Sequence, residues 1–265
     1  MTPWHLMIIA AAGCSIWMAL TWLIAMKINF LSLVDAAWSF GIGLCALGFA
    51  ILAGAHPVRS IVAAGMAILW SLRLGGFLTL RLAQHFPTED TRYQTLRQNF
   101  TQGFAVKTFL FFQLQAAIQV VLAYPFAALA LDNGPFPRLA EVMGIILYGV
   151  GLIGESVADA QLKKFKAQSA HSPKPCNTGL WRYSRHPNYF FEWIIWCGIS
   201  VTALGSPDGV YALICPALML FLLLFVTGVR PSEQQALKSK GQAYRDYQAV
   251  TSVFIPWPPR SGEHR

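Results

Sequence analysis

Long apolar stretches separated by short polar breaks dominate the chain. Crossing a bilayer as a helix takes about 20 apolar residues. Seven stretches approach or exceed that length: 4–26, 34–54, 60–82, 107–131, 139–160, 188–205 and 209–228. Turn-forming residues divide several of them, at His56-Pro57, Asp132-Asn133-Gly134-Pro135 and Ser206-Pro207-Asp208-Gly209. No strand-like alternation and no soluble-domain repeat interrupts this pattern. Backbone polar groups in lipid must pair within their own segment, so the stretches predict helices. The expectation is an all-α polytopic membrane protein, with residues 1–265 forming one seven-helix transmembrane domain. The first stretch lacks a basic leader and a cleavage site, and reads as a retained helix rather than a signal peptide.

Composition agrees. Hydrophobic residues make up 55% of the 265 and charged residues 12%, against roughly 25% charged in soluble domains. That excludes a water-soluble globule and a disordered chain. The formal net charge of +8 would suggest nucleic acid on a soluble protein, but here the basic residues follow the spans. With the N-terminus outside, 17 of the 20 fall on the inner side: Lys27; Arg81, Arg92, Arg97 and Lys107; Lys163, Lys164, Lys166, Lys174, Arg182 and Arg185; Arg230, Lys238, Lys240, Arg245, Arg260 and Arg265. Arg59 and Arg138 fall outside and Arg73 lies within the third span. Basic residues favour cytoplasmic loops, which predicts a periplasmic N-terminus, a cytoplasmic C-terminus and no nucleic-acid partner. The inner segments, about 83–106, 161–187 and from 229, are long, so chemistry is expected to face the cytoplasm. Five cysteines, with no C-x-x-C pair and no Cys/His cluster, predict neither a metal site nor a disulfide framework.

Acidic residues are the informative minority. Asp35, Glu155, Asp159 and Glu192 sit in or at the edge of apolar segments, where an ionisable group is costly and by default functional. Asp35 and Trp38 are three apart, and Glu155 and Asp159 four apart, each pair on one helical face. Glu192 follows the densest polar run, Gly179-Leu180-Trp181-Arg182-Tyr183-Ser184-Arg185-His186-Pro187-Asn188-Tyr189. Pro187 suits a first helical turn, and a helix start beside arginines is a ready anion site. Two further inner patches share this polarity: Glu89-Asp90-Thr91-Arg92-Tyr93, and a tail with Arg230, Glu233, Lys238, Tyr244, Arg245, Asp246 and Tyr247. Tyr244 and Tyr247 fall three apart on an expected amphipathic helix. Dinucleotide-binding and P-loop glycine motifs are absent, so any nucleotide must be held by the helices and their loops.

Together, Asp35-x-x-Trp38, Glu89-Asp90-x-Arg92-Tyr93, Asp159, the run from Gly179 to Glu192, and Tyr244-x-x-Tyr247 ending in Phe254-Ile255-Pro256-Trp257 resemble the steroid 5-alpha reductase family, more narrowly its bacterial branch. The match spans residues 30 to 258. The Arg185-His186-Pro187-Asn188-Tyr189 stretch alone is also similar to isoprenylcysteine carboxyl methyltransferases and sterol C14 and delta-7 reductases. The resemblance implies a bacterial inner-membrane enzyme with NADPH at its cytoplasmic end, bound by segments 83–106, 161–187 and 229–258. It would reduce the carbon–carbon double bond of an enone, typically a 3-oxo-delta-4 steroid. Carried over by position, Asn188 would hold the nicotinamide amide and Asp159 the ribose or phosphate region. Lys166, Lys174, Arg182, Arg185 and Arg230 would meet the phosphates, and Tyr244 and Tyr247 would close over the cofactor. Tyr183, His186, Trp196 and Lys238 complete the cofactor set, and Trp38, Trp70 and Tyr189 the substrate set. Where the animal enzymes carry a tyrosine in the third span, residues 60–82 have none and Trp70 is the nearest alignment. Where they carry Gln-Glu in the second span, this chain has Val34-Asp35. Two readings follow: carbonyl activation falls to Glu192 and Asp35 as the catalytic carboxyls, or the natural substrate is not a steroid.

The expected reaction is hydride transfer to the beta-carbon of a lipophilic enone drawn from the bilayer. A protonated group must donate to the oxygen that gains charge, and Glu192 fits by position. The protein is expected to act as a monomer among membrane lipids. A rival reading is an S-adenosylmethionine-dependent methyltransferase of the isoprenylcysteine type. Charge demand separates the two, because NADPH brings phosphates and S-adenosylmethionine none. A transporter, with the intramembrane acids as ion relays, leaves the concentration of polar groups at one end unexplained.

Overall fold

The computed structural model describes residues 2–54, 56–168 and 174–260. Helices account for most of them: α1 (Pro3–Lys27), α2 (Leu33–Ala53), α3 (Pro57–His85), α4 (Thr91–Asn99), α5 (Phe104–Ala130), α6 (Leu139–Gln168), α7 (Pro187–Ala203), α8 (Ile214–Phe221), α9 (Val229–Lys240) and α10 (Gln242–Val250). Among the described residues there is no strand, only an isolated bridge between Ser184 and Ser252. Arg265, counted above with the inner basic residues, lies outside the described residues.

Among the described residues six segments are long and apolar enough to cross a membrane: α1, α2, α3, α5, α6 and the run Gly209–Lys240. The chain is therefore an all-helical membrane protein. The remaining expected span, 188–205, corresponds to α7, which has 17 residues. At 1.5 Å per residue that is about 26 Å, short of a hydrocarbon core of about 30 Å. Pro187 sits in its first turn, where a missing N–H costs nothing, and the Ser206-Pro207-Asp208-Gly209 turn follows its end. The expected inner loop at 83–106 also contains helix. Asp90 caps α4 by accepting from the Arg92 N–H at 3.0 Å.

The chain forms two compact units. One runs to Arg138 and includes Ala203–Ala212; the other comprises Leu139–Thr202 and the chain from Leu213. In the first, α2 packs mainly on α3 and α1 mainly on α5. The buried stripe of α1 is Leu6, Ala10, Cys14, Met18, Thr21 and Ala25, a helical repeat of three and four. At one end of this unit Arg59, 1% exposed, lies 3.4 Å from Asp132, and Arg138 reaches the same carboxylate at 2.5 Å. Arg59 also donates to the carbonyls of Asp132, Gly134 and Pro135. The two arginines outside the inner charge pattern are thus bound to one buried acid. At the other end Asp35, in the first turn of α2, accepts from Tyr93 Oη at 2.5 Å and Arg92 at 2.8 Å. Glu89 pairs with Arg97 and accepts from the Leu31 N–H.

In the second unit the buried positions of α6 are Glu141, Gly144, Tyr148, Gly151, Glu155 and Ala158, repeating strictly three and four. This seam meets α7 backbone to backbone. A Cβ on Gly198 would lie 2.4 Å from the Tyr148 nitrogen, and one on Gly151 2.7 Å from the Ile195 nitrogen. Small residues at such a crossing let helices approach where lipid gives no hydrophobic drive.

Candidate functional site

The run that carries most of the expected cofactor residues is built on α6. Trp181 donates its indole N–H to the Ala158 carbonyl at 2.9 Å, and the Leu180 N–H donates to Gln161 Oε1 at 2.9 Å. Gly179 has φ +59°, and a Cβ there would meet Gln161 Oε1 at 2.5 Å. Only glycine satisfies both the left-handed backbone and the close approach.

The tail closes on the other side of the run. Arg185 N–H donates to Ser252 O at 2.8 Å, Trp257 N–H to Tyr183 O at 2.9 Å, and Ser184 Oγ to Phe254 O at 2.7 Å. The Tyr247 hydroxyl donates to the Trp181 carbonyl. Burial pushes the phenols of Tyr244 and Tyr247 well above their ordinary range, so both stay neutral at physiological pH.

Arg185 is only 10% exposed. It binds Glu233 at 2.7 Å and the carbonyls of Gln248 and Thr251 at 3.2 and 2.6 Å. His186 stacks on Tyr189, centroids 5.4 Å apart, and its Nε2 lies 3.3 Å from the same Glu233 oxygen. Tyr189 Oη is 3.1 Å from Ser232 Oγ. Glu233 is the hub of this cluster, accepting also from Gln248 at 2.9 Å. Sequence reasoning placed it only within a charged tail patch. Its one signal was an acid among the tail's bases and tyrosines.

Asn188, in the first turn of α7, donates from Nδ2 to Asp159 Oδ1 at 3.4 Å. Its Oδ1 is buried with no hydrogen-bond partner. One turn on, Glu192 is 5% exposed and accepts from the indole of fully buried Trp196 at 3.0 Å. Glu155 is likewise buried on α6. Lys166, Lys174, Arg182, Tyr183, Arg230 and Lys238 are exposed, with Arg230 over the Phe225 ring at 5.1 Å.

Asp35, Trp38 and Trp70 belong to the first unit. Asp35 is drawn to the Glu89-Asp90-x-Arg92-Tyr93 patch, a pairing that spacing along the chain did not reveal. Trp38 and Trp70 meet edge to face at 6.0 Å, and Trp70 is fully buried. Burial pushes the Tyr93 phenol up strongly, and the Asp35 carboxylate adds to the effect. The Asp90 carboxyl is pushed up by burial but held, on balance, below the usual range by Arg92 and Arg81.

A family model described as a protein of unknown function, DUF1295, matches residues 21–251. The chain belongs to the DUF1295 family. No curated protein and no solved structure matches the chain. The DUF1295 match takes in Asp35, the Gly179–Glu192 run, Glu233 and Tyr247, and ends before Ser252 and Phe254, whose carbonyls receive the run's hydrogen bonds.

Proposed function

We propose that this DUF1295 protein is an NADPH-dependent reductase of a lipophilic enone, with a 3-oxo-delta-4 steroid as the model substrate. The observation that carries the reading is Asn188. Its amide nitrogen is engaged by Asp159 while its oxygen is buried with an open valence. A buried acceptor without a donor is costly, and the carboxamide N–H of a nicotinamide satisfies it. The exposed Lys166, Lys174 and Arg182 supply the charge that phosphates need, which S-adenosylmethionine does not require. The group therefore fits the residues present. Asn188 and Asp159 would hold its nicotinamide and ribose end, and the three cations its phosphates. Bound NADPH supplies the hydride.

The protein's own part is orientation and proton delivery. Glu192 carries the proton given to the carbonyl oxygen, and Trp196 holds that carboxyl through Oε1. Both oxygens of Asp35 already accept donors, so proton delivery falls to Glu192 alone. Arg185, His186, Tyr244 and Tyr247 brace the motif, acting on the cofactor through position. We further propose seven spans, with α7 as the short one, the N-terminus outside and the site facing the cytoplasm of a bacterial inner membrane. The binding of Arg59 and Arg138 to Asp132 supports this topology, because it removes the two exceptions to the inner charge bias.

The test is thermal stabilisation and turnover in nanodiscs. NADPH should stabilise the protein and S-adenosylmethionine should not; the reverse overturns the reading. With the steroid enone, Glu192→Ala should lower NADPH consumption by about 10²–10³ while leaving nucleotide affinity intact. Normal turnover in that variant removes Glu192 from the mechanism.

A further inference from the structure

Three aromatic rings from distant parts of the chain meet at the end of the first unit that holds Asp132. They are Trp4 in the first turn of α1, Tyr124 near the end of α5, and Tyr211 just after the Ser206-Pro207-Asp208-Gly209 turn. Ring centroids lie 5.9 Å apart for Trp4 and Tyr124, and 6.2 Å apart for each of the other two pairs. The interplanar angles are 46°, 58° and 86°, so no two rings are stacked. Trp4 and Tyr211 are about half-exposed, and Tyr124 is buried. Stacked rings hide their electron-rich faces against one another, whereas tilted rings leave part of them open.

Asp208 ties the cluster together. Its carbonyl accepts from the Tyr124 hydroxyl at 3.0 Å and from the Tyr211 N–H at 3.2 Å. Its backbone has φ +58°, in the left-handed region that aspartate and asparagine tolerate. Its side chain is exposed and forms no ion pair among the described residues. Arg138, the base that reaches this turn, is committed to Asp132 and to the Gly205 carbonyl. The turn thus carries an uncompensated carboxylate beside three rings.

We propose that Trp4, Tyr124, Tyr211 and Asp208 form a headgroup site for the ammonium of a zwitterionic, ethanolamine-type phospholipid. Ring faces attract a cation lying within about 6 Å of their centroids, tryptophan most strongly. A cation seated over this triangle of centroids can meet all three. Asp208 adds opposite charge and acceptors for the ammonium N–H groups. Ile8, one turn on from Trp4, is exposed, and so are Val210 and Leu213 on either side of Tyr211. These offer apolar surface to acyl chains, which favours a lipid over a soluble amine. An interfacial aromatic belt accounts for Trp and Tyr near helix ends. It requires neither three rings in mutual contact nor an acid without a partner beside them. The inference rests on these residues of the first unit and not on the reductase reading.

The test is equilibrium binding of tritiated phosphatidylethanolamine, phosphatidylglycerol and diacylglycerol, with identical acyl chains, to the full-length protein in a neutral detergent. Phosphatidylethanolamine should bind tighter than either of the others on the order of tenfold, the joint effect of the ring contacts and one exposed ion pair. Trp4→Leu and Tyr211→Leu keep apolar bulk and remove a ring, and each should cut that preference about two- to fivefold. Asp208→Asn keeps a residue suited to the left-handed turn and removes only the charge. It should weaken phosphatidylethanolamine binding about two- to fivefold and leave diacylglycerol binding unchanged, which shows that the surface remains folded. Soluble phosphoethanolamine, which lacks the chains, should fail to displace the lipid at equal concentration. Equal affinities for the three lipids in the wild type, or tighter binding of phosphatidylglycerol, overturn the proposal. So does an undiminished preference in all three variants, and displacement by phosphoethanolamine overturns the lipid as the source of the ammonium. No nucleotide enters this assay, so its failure and that of the turnover assay are independent.

Discussion

Arg182 and Arg185 stand three residues apart in one motif, yet the structure gives them opposite surroundings, and substituting each to alanine separates them. Arg185 is 10% exposed and holds Glu233 at 2.7 Å, together with the carbonyls of Gln248 and Thr251. Removing one partner of a fully buried ion pair costs about 3–5 kcal/mol. Glu233 is 18% exposed and keeps Gln248 and His186, so the penalty for Arg185→Ala falls below that range. The two stranded carbonyls add back part of it, which gives about 2–3 kcal/mol. Arg182 is exposed, and its loss should change stability by less than about 0.5 kcal/mol. The assay is chemical unfolding and NADPH titration on the same nanodisc samples. Arg185→Ala should unfold at lower denaturant, and its loss of NADPH affinity should be relieved by adding back stability through a second, distant substitution. On the proposed NADPH reading, Arg182→Ala should unfold normally and bind NADPH more weakly, with the deficit shrinking at high salt, where screening weakens an arginine–phosphate contact. An Arg185→Ala protein of normal stability that no longer binds NADPH would refute the assignment of Arg185 as a brace.

Three more outcomes follow from particular contacts. Cys14 and Cys45 hold their sulfurs 3.3 Å apart between α1 and α2, so copper-phenanthroline oxidation of the purified protein should join them in an intramolecular disulfide, read as a loss of two thiols by maleimide mass-tagging; two thiols that both remain taggable would contradict the packing of α1 on α2. Gly198→Leu should destabilise the second unit by more than about 3 kcal/mol, because its side chain would collide with the α6 backbone at Tyr148, whereas Gly149→Leu, with open space around it, should be nearly silent in the same unfolding assay. Asp90 has its carboxyl held below the usual range, so the stability it lends α4 is complete above about pH 4 and is lost as pH falls through its lowered value; the amide-exchange protection factors of Thr91–Asn99, taken against the intrinsic rate at each pH, should fall on acidification in the wild type but not in Asp90→Asn.

Much of the architecture was legible because lipid reduces the problem. A stretch such as 107–131 has few options other than a helix, and α5 at Phe104–Ala130 follows it closely. What failed to show was whatever depends on side chains meeting across the sequence. Asp35 and Tyr93 are 58 positions apart, and no periodicity links them. The 83–106 segment read as loop because α4, Thr-Arg-Tyr-Gln-Thr-Leu-Arg-Gln-Asn, has no apolar stripe; Asp90 capping its first turn, and Tyr93 buried against Asp35, hold it in place instead.

The same limit governs the site. Composition marked the Gly179–Glu192 run as unusual, but not which of its cations face water. Arg182 and Arg185 are the same residue type, and spacing treats them alike. They differ because the chain turns at Tyr183 and Ser184, where the tail returns through Ser252, Phe254 and Trp257 and covers one of them. Arg185 then meets Glu233 on α9, while Arg182 stays at the surface. A motif recognised along the chain therefore contains two kinds of residue, those that build the loop and those the loop presents. Only the hydrogen bonds between distant segments sort them. Asn188 illustrates the second kind: Asp159 satisfies one half of its amide, and nothing in the fold satisfies the other. A side chain left half-paired in an otherwise paired interior is where binding is most economically explained, and the sequence alone could name that asparagine but not the atom that waits.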